Sequence, residues 1–327
     1  MIQRNKGLPL PLRYALRTVA AVAVFLVVLA VLSHVVMPKN NQREFGQIDA
    51  RANGVMGERE GSVDVLFLGD SEAFSSFSPL QLWGDRGITS YVSATAAQRL
   101  CYTRTLLARA LKRQTPRVVV LETNCTFARF SMADAARRLL KDVFPVFEYH
   151  DRWKILTAED FLSPVRYTWA DELKGFRLRR ALEAKPADTQ GYMEPTDELT
   201  PMADLNRAYL EQISQMCKNA GARLVLVSTP STKNWNMARH NRIAQVADEL
   251  DVDYIDLNSG SDKVEIDWQQ DTYDAGDHLN LRGAQKVTRA IGSILAGRYG
   301  VGDHRGDEAF SDWDEAHGRY VKRLSEL

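Results

Sequence analysis

The chain is poor in cysteine. Its 327 residues hold three, Cys101, Cys125 and Cys217, which is too few for a disulfide framework and leaves at least one unpaired. None lies in a Cys-x-x-Cys pair or a Cys/His cluster, so no metal site is signalled. All three read as small buried apolar residues, with a Cys101–Cys125 disulfide as the less favoured alternative. No Gly-x-Gly-x-x-Gly follows any strand-like run, which disfavours a dinucleotide fold, and no cofactor is implied. Neither sign of charge prevails: 42 Lys and Arg balance 42 Asp and Glu. A global field favouring nucleic acid or an acidic polymer is therefore absent.

One stretch lacks ionised side chains almost entirely. Thr18 to Met37 holds no acid or base except His34, and about 20 apolar residues suffice to cross a bilayer as a helix. Arg4, Lys6, Arg13 and Arg17 precede it, while only Lys39 and Arg43 follow closely. The positive-inside tendency makes residues 1–17 cytoplasmic, 18–37 a signal-anchor and the rest extracytoplasmic. A cleaved signal peptide fits less well, because the apolar region is long and no small-x-small site follows. Residues 38–61 are polar and read as a juxtamembrane tether or a short helix.

What the chain does have is a series of short apolar runs alternating with helical patterns. Val63 to Leu68 leads, followed by Gly87–Val92, Pro116–Asn124, Leu224–Ser228 and Val252–Leu257. Amphipathic helices are expected at 99–112, 204–220, 241–250 and 284–296. This alternation predicts an α/β fold, a doubly wound parallel sheet with helices on both faces. Residues 126–201 are charged and rich in scattered aromatics, and read as a helical insertion packed over the sheet edge. The tail, 301–327, reads as an amphipathic helix docked on the domain or on a partner.

The first run ends in Gly69-Asp70-Ser71. A glycine there lets the chain turn at the carboxyl end of a strand, where open α/β sheets hold ligands. Ser71 then stands at the mouth of a site, although such turns also occur without a catalytic serine. A serine nucleophile needs a base, and the base an orienting carboxylate. Asp274-Ala-Gly-Asp277-His278, just before the helix expected at 284–296, supplies both. Asp274 is preferred as His278's partner because a turn at Ala275-Gly276 returns it to the ring; Asp277 is the alternative. Asn124 leaves its strand at the same edge, where it could donate to an oxyanion or cap a turn. His150 and Arg152, in Tyr149-His-Asp-Arg-Trp153, read either as substrate-shaping groups or as an Arg/aromatic stack.

These blocks resemble those of SGNH (GDSL-type) hydrolases: Gly69-Asp-Ser71 first, Glu122-Thr-Asn124 third, and Asp274-x-x-Asp-His278-Leu-Asn280 last. Tyr149-His150-x-Arg152-Trp153, Lys233-Asn-Trp235-Asn236 and His278-Leu-Asn280 are similar to a membrane-anchored branch. That branch is related to the D-alanine transfer protein of lipoteichoic acid synthesis and to exopolysaccharide O-acetylation proteins. The resemblance covers about residues 62–300. It implies a flavodoxin-like sheet (the SGNH hydrolase fold), Ser71 as nucleophile and His278 as base. The oxyanion hole is then the Ser71 N–H, Asn124 and a second-block N–H near Ala94, with His150, Arg152, Trp235 and Asn280 toward substrate.

The chain departs from that pattern twice. The second-block glycine is replaced by Ala94 or Ala97, which requires negative φ there, and the acid precedes the histidine by four residues instead of three. The implied activity is an O-acyltransferase or acylesterase acting on a cell-envelope polysaccharide or teichoic-acid-like polymer, with a membrane-embedded O-acyltransferase as the partner supplying acyl groups. A non-catalytic envelope scaffold on the same fold is the competing expectation.

Overall fold

The computed structural model describes residues 9–184 and 192–326. Five strands form one parallel sheet: β1 (Val65–Gly69), β2 (Ser90–Ala94), β3 (Val118–Glu122), β4 (Arg223–Ser228) and β5 (Asp253–Asp256), in the order β2-β1-β3-β4-β5. This is the flavodoxin-like doubly wound order. Successive residues of β1 enter opposite cores, Leu66 and Leu68 one, Val65 and Phe67 the other. Burial on both faces is why these strands are continuous apolar runs. Their short length also explains the boundaries: β2 begins three residues later than the Gly87–Val92 run, after a left-handed turn at Gly87.

Helix α1 (Leu10–Val36) is 27 residues long and apolar enough to cross a membrane. At 1.5 Å per residue it reaches about 40 Å, more than the roughly 30 Å of a hydrocarbon core. Its last turn is correspondingly built into the domain, with Ser33 and Val36 buried. Arg4 and Lys6, part of the orientation argument, lie outside the described residues.

Between the strands run α2 (Ser71–Ser76), α3 (Pro79–Arg86), α4 (Leu100–Ala110), α5 (Met132–Val143), α6 (Asp204–Asn219) and α7 (Met237–Leu250), and after β5 comes α8 (Leu281–Tyr299). The final helix, α9 (Ser311–Ser325), docks on the domain itself, packing Trp313, Ala316 and Tyr320 against Leu80 and Trp83. All three cysteines are buried and free.

Two segments refine their sequence reading. Of the two alternatives for residues 38–61 the short helix is present, at Ala50–Asn53, and the segment is built into the domain: Ala52, Val55 and Met56 belong to a core, and Asn41 accepts backbone N–H groups of Thr168 and Trp169, both at 3.1 Å. The insertion is helical only as far as Leu162; the described residues beyond it, 163–184 and 192–201, are irregular. Its backbone finds partners elsewhere in the fold. The Lys174 carbonyl accepts the Val92 N–H at 2.9 Å, and the Arg177 N–H donates to the Phe74 carbonyl at 2.8 Å. The first of these bonds covers the outer side of β2, an edge strand that would otherwise be open to pairing.

Candidate active site

In this strand order the direction of winding reverses between β1 and β3, and the crevice at their carboxyl ends is the expected ligand position. Both Ser71 and Asn124 follow those two strands directly. The turn into Ser71 demands glycine. Gly69 has φ 149°, and a Cβ there would lie 2.8 Å from Glu122 Cβ and 2.9 Å from Ala73 Cβ. Asp70 caps α2: its Oδ1 accepts the Glu72 N–H at 3.0 Å, and its Oδ2 accepts from Asn124 Nδ2 at 2.9 Å. Asn124 Oδ1 in turn accepts from Arg239 Nη1 at 2.8 Å, with the guanidinium over the Phe127 ring. These two bonds fix the amide so that Nδ2 faces the Ser71 turn, leaving its second N–H available.

The histidine comes from the loop before α8. Ala275 and Gly276 both adopt positive φ (56° and 85°), and this tight turn brings Asp274 back to His278. Asp274 Oδ1 accepts the His278 backbone N–H at 2.6 Å, and Asp274 Oδ2 lies 2.6 Å from Nδ1. Asp277 is further off, 3.7 Å from Nδ1. A carboxylate can only accept, so Nδ1 carries the proton and Nε2 holds the free lone pair. Nε2 is buried without a hydrogen-bond partner, and Tyr273 stacks on the ring at 5.6 Å. Ser71 Oγ is therefore not bonded to Nε2 in this state. Nucleophile–base bonds in ligand-free sites are commonly open and close in the substrate complex.

Glu72, next to Ser71, has a carboxylate oxygen within 4.8 Å of both a His278 ring nitrogen and the Asp277 carboxylate. Asn234 Nδ2 donates to Glu72 Oε1 at 2.8 Å and also to Asp277 Oδ1. These three residues have metal-ligand spacing. However, the amide donor already serving both acids, and Asp274 on Nδ1, suit hydrogen bonding better than a cation. Burial raises the Glu72 and Glu122 carboxyls well above their usual range, and neighbouring acids push them further. Burial raises Asp70 as well, opposed by the N–H groups of Glu72 and Asn124. The floor of the site is thus a set of buried acids that favour protonation.

Four expected substrate residues are not brought here as ligands. Arg152 is buried and directed at α1, donating to the Val36 carbonyl at 2.7 Å and to Asp160 at 2.8 Å. His150 is exposed beside Asp151 at 3.7 Å. Trp235 belongs to the core, edge-on to Phe127, its Nε1 3.4 Å from Asp256. Asn280 is buried as the N-cap of α8; it accepts from Arg282 and Gly283 N–H and donates to the Gln270 carbonyl at 2.8 Å. An aromatic near a motif and a cap residue within one look alike in sequence whether they pack or bind. Ala94 is the buried last residue of β2, while it is the exposed Ala97 that takes positive φ, 50°.

Asn234 and Arg239 were not singled out as site residues by sequence. Lys233-Asn234 is nonetheless part of a noted motif, and Lys233 Nζ holds the Asp274 carbonyl at 2.7 Å.

No family model and no curated protein matches this chain. Solved structures that it resembles include the lipase/acylhydrolase from Enterococcus faecalis, at 11% identity and TM-score 0.39, covering 72% of this chain and 97% of that one. Another is a GDSL-like lipase from Bacteroides thetaiotaomicron, at 9% identity and TM-score 0.34, covering 72% and 87%. The fold assignment itself stands on the strand order.

Proposed function

We propose that this chain is a membrane-anchored, extracytoplasmic serine acylhydrolase or O-acyltransferase of the GDSL type, acting on a cell-envelope glycopolymer through an acyl-Ser71 intermediate. His278 Nε2 takes the Ser71 proton as Oγ attacks the acyl carbonyl. Asp274 on Nδ1 holds the tautomer and stabilises the imidazolium. The tetrahedral oxyanion meets the Ser71 N–H and the second N–H of Asn124. Collapse expels the donor alcohol, which recovers the proton from Nε2. A sugar hydroxyl or water then repeats the attack on the acyl-serine and frees Ser71.

The Asp274–His278 pair with an unpartnered, buried Nε2 is the observation that carries this reading. An imidazole held this way, beside the serine turn, is prepared for a proton it does not yet have. The acyl group's destination follows from the acceptor. A membrane-embedded acyltransferase as donor partner suits transfer, and an anchored site suits a substrate confined to the envelope.

A fluorophosphonate probe tests the reading. The full chain is expected to label, and Ser71→Ala to abolish labelling while keeping its melting temperature. A folded wild-type chain that does not label would favour the scaffold reading. Offering an acyl donor with and without a polysaccharide acceptor, then following the acyl group, separates transfer from hydrolysis.

A further inference from the structure

A cavity of about 240 Å³ lies beneath the point where α1 meets the domain, away from Ser71. Its wall begins with Met37, the residue after α1, and continues through Met56 and Tyr149. Four cations also line it: Arg109, which pairs with the acids of the wall, and Arg104, Lys112 and Lys141. None of the last three forms an ion pair with a described residue, and Arg104 Nε is buried with no hydrogen-bond partner. The two acids in the wall are already satisfied. Arg138 pairs with Asp142 at 2.9 Å and with Glu148 at 2.7 Å, and Arg109 reaches Glu148 at 3.1 Å. Positive charge is therefore in excess, facing a space with an apolar side.

The surroundings set the position of that space. Ser33 Oγ, in the last turns of α1, accepts the Val146 N–H at 3.2 Å, and Arg152 binds the Val36 carbonyl. The segment so attached exposes Phe147, Trp153, Ile155, Phe161 and Leu162, the last 87% exposed. Apolar and tryptophan side chains flanking a membrane helix belong at the level of lipid headgroups.

We propose that this cavity binds the phosphodiester headgroup of an anionic phospholipid. The lipid comes from the bilayer that α1 crosses, so the inference rests on the membrane-anchored reading. Arg104, Lys112 and Lys141 meet the phosphate through charge-assisted hydrogen bonds. Met37, Met56 and Tyr149 take the glycerol and the first methylenes.

Native mass spectrometry of the detergent-solubilised full chain, offered phosphatidylglycerol and phosphatidylcholine in equal amounts, tests this. Phosphatidylglycerol should be retained preferentially, and Lys112→Gln/Lys141→Gln should lower its retention about tenfold. Melting temperature and fluorophosphonate labelling of that variant should be unchanged, and Ser71→Ala should retain the lipid like wild type. Equal retention of the two lipids, or undiminished retention by the lysine variant, overturns the proposal. So does saturation by inorganic phosphate with no phosphatidylglycerol bound, which would mark a site for a free anion. Alkaline carbonate extraction from phosphatidylcholine vesicles tests the anchor separately: release of wild type would refute membrane insertion without involving the cavity.

Discussion

Asp274 grips His278 twice, through the backbone N–H and through Nδ1, both at 2.6 Å. The same carboxylate sets the loop's conformation and the imidazole's tautomer. Asp274→Asn should therefore lower probe labelling or ester turnover by about 10⁴-fold, the scale seen when a triad acid is neutralised. Asp277→Asn, 3.7 Å from the ring nitrogen, should have a far smaller effect. Comparing the two labelling rates under identical conditions distinguishes orienter from neighbour.

The buried acids beneath Ser71 predict a pH dependence of stability. Glu72 is raised well above 4.5, so the folded chain holds a proton there that the unfolded chain has released. Stability from this group is full below the ordinary carboxylate range and is lost as pH rises toward and through the raised folded value. Glu72→Gln fixes the neutral form. Its stability relative to wild type should climb with pH, by at most about 1.4 kcal/mol per pH unit. Urea titrations from pH 4.5 to 8 measure the difference, in which the opposite slopes from Glu148 and Asp160, both lowered, cancel.

Arg152 gives the contrasting case of a charge that holds structure. Arg152→Met removes the counter-charge of Asp160, which keeps only the Thr157 N–H and hydroxyl, in a site where both side chains are under 8% exposed. A loss of about 3–5 kcal/mol is expected, part of it restored by adding Asp160→Leu. Folded molecules of the double variant should keep wild-type KM. A raised KM would return Arg152 to the substrate site.

Ala97 carries backbone strain at φ 50° with its side chain in solvent. Left-handed alanine costs roughly 1–2 kcal/mol, partly offset by the entropy glycine loses on folding. Ala97→Gly should thus stabilise the chain by about 0.5–1 kcal/mol, read as a rise in melting temperature.

The parts legible in sequence were those with local causes. Burial on both faces makes β1 to β5 apolar runs, and the Ala275-Gly276 turn makes Asp274 reachable at four residues' spacing. The parts missed depend on residues far apart in the chain. Asn234 meets Glu72 across 162 positions, and Arg239 meets Asn124 across 115. Nothing in either neighbourhood announces these contacts. Trp235 and Arg152 sit in motifs that point toward substrate. Their side chains instead complete a core and lock the end of α1, roles that need the same residue types.

That lock has a mechanical meaning. If α1 crosses a membrane as proposed, then with Ser33 bonded to the Val146 N–H and the Val36 carbonyl held by Arg152 it is a mast bolted to its platform, not a leash. A leashed domain samples a hemisphere and can reach for its substrate. A bolted one would hold the proposed active site at a constant height and bearing above the lipid, leaving within reach only substrate that passes through that narrow layer. Selection by elevation would then precede any selection by chemistry.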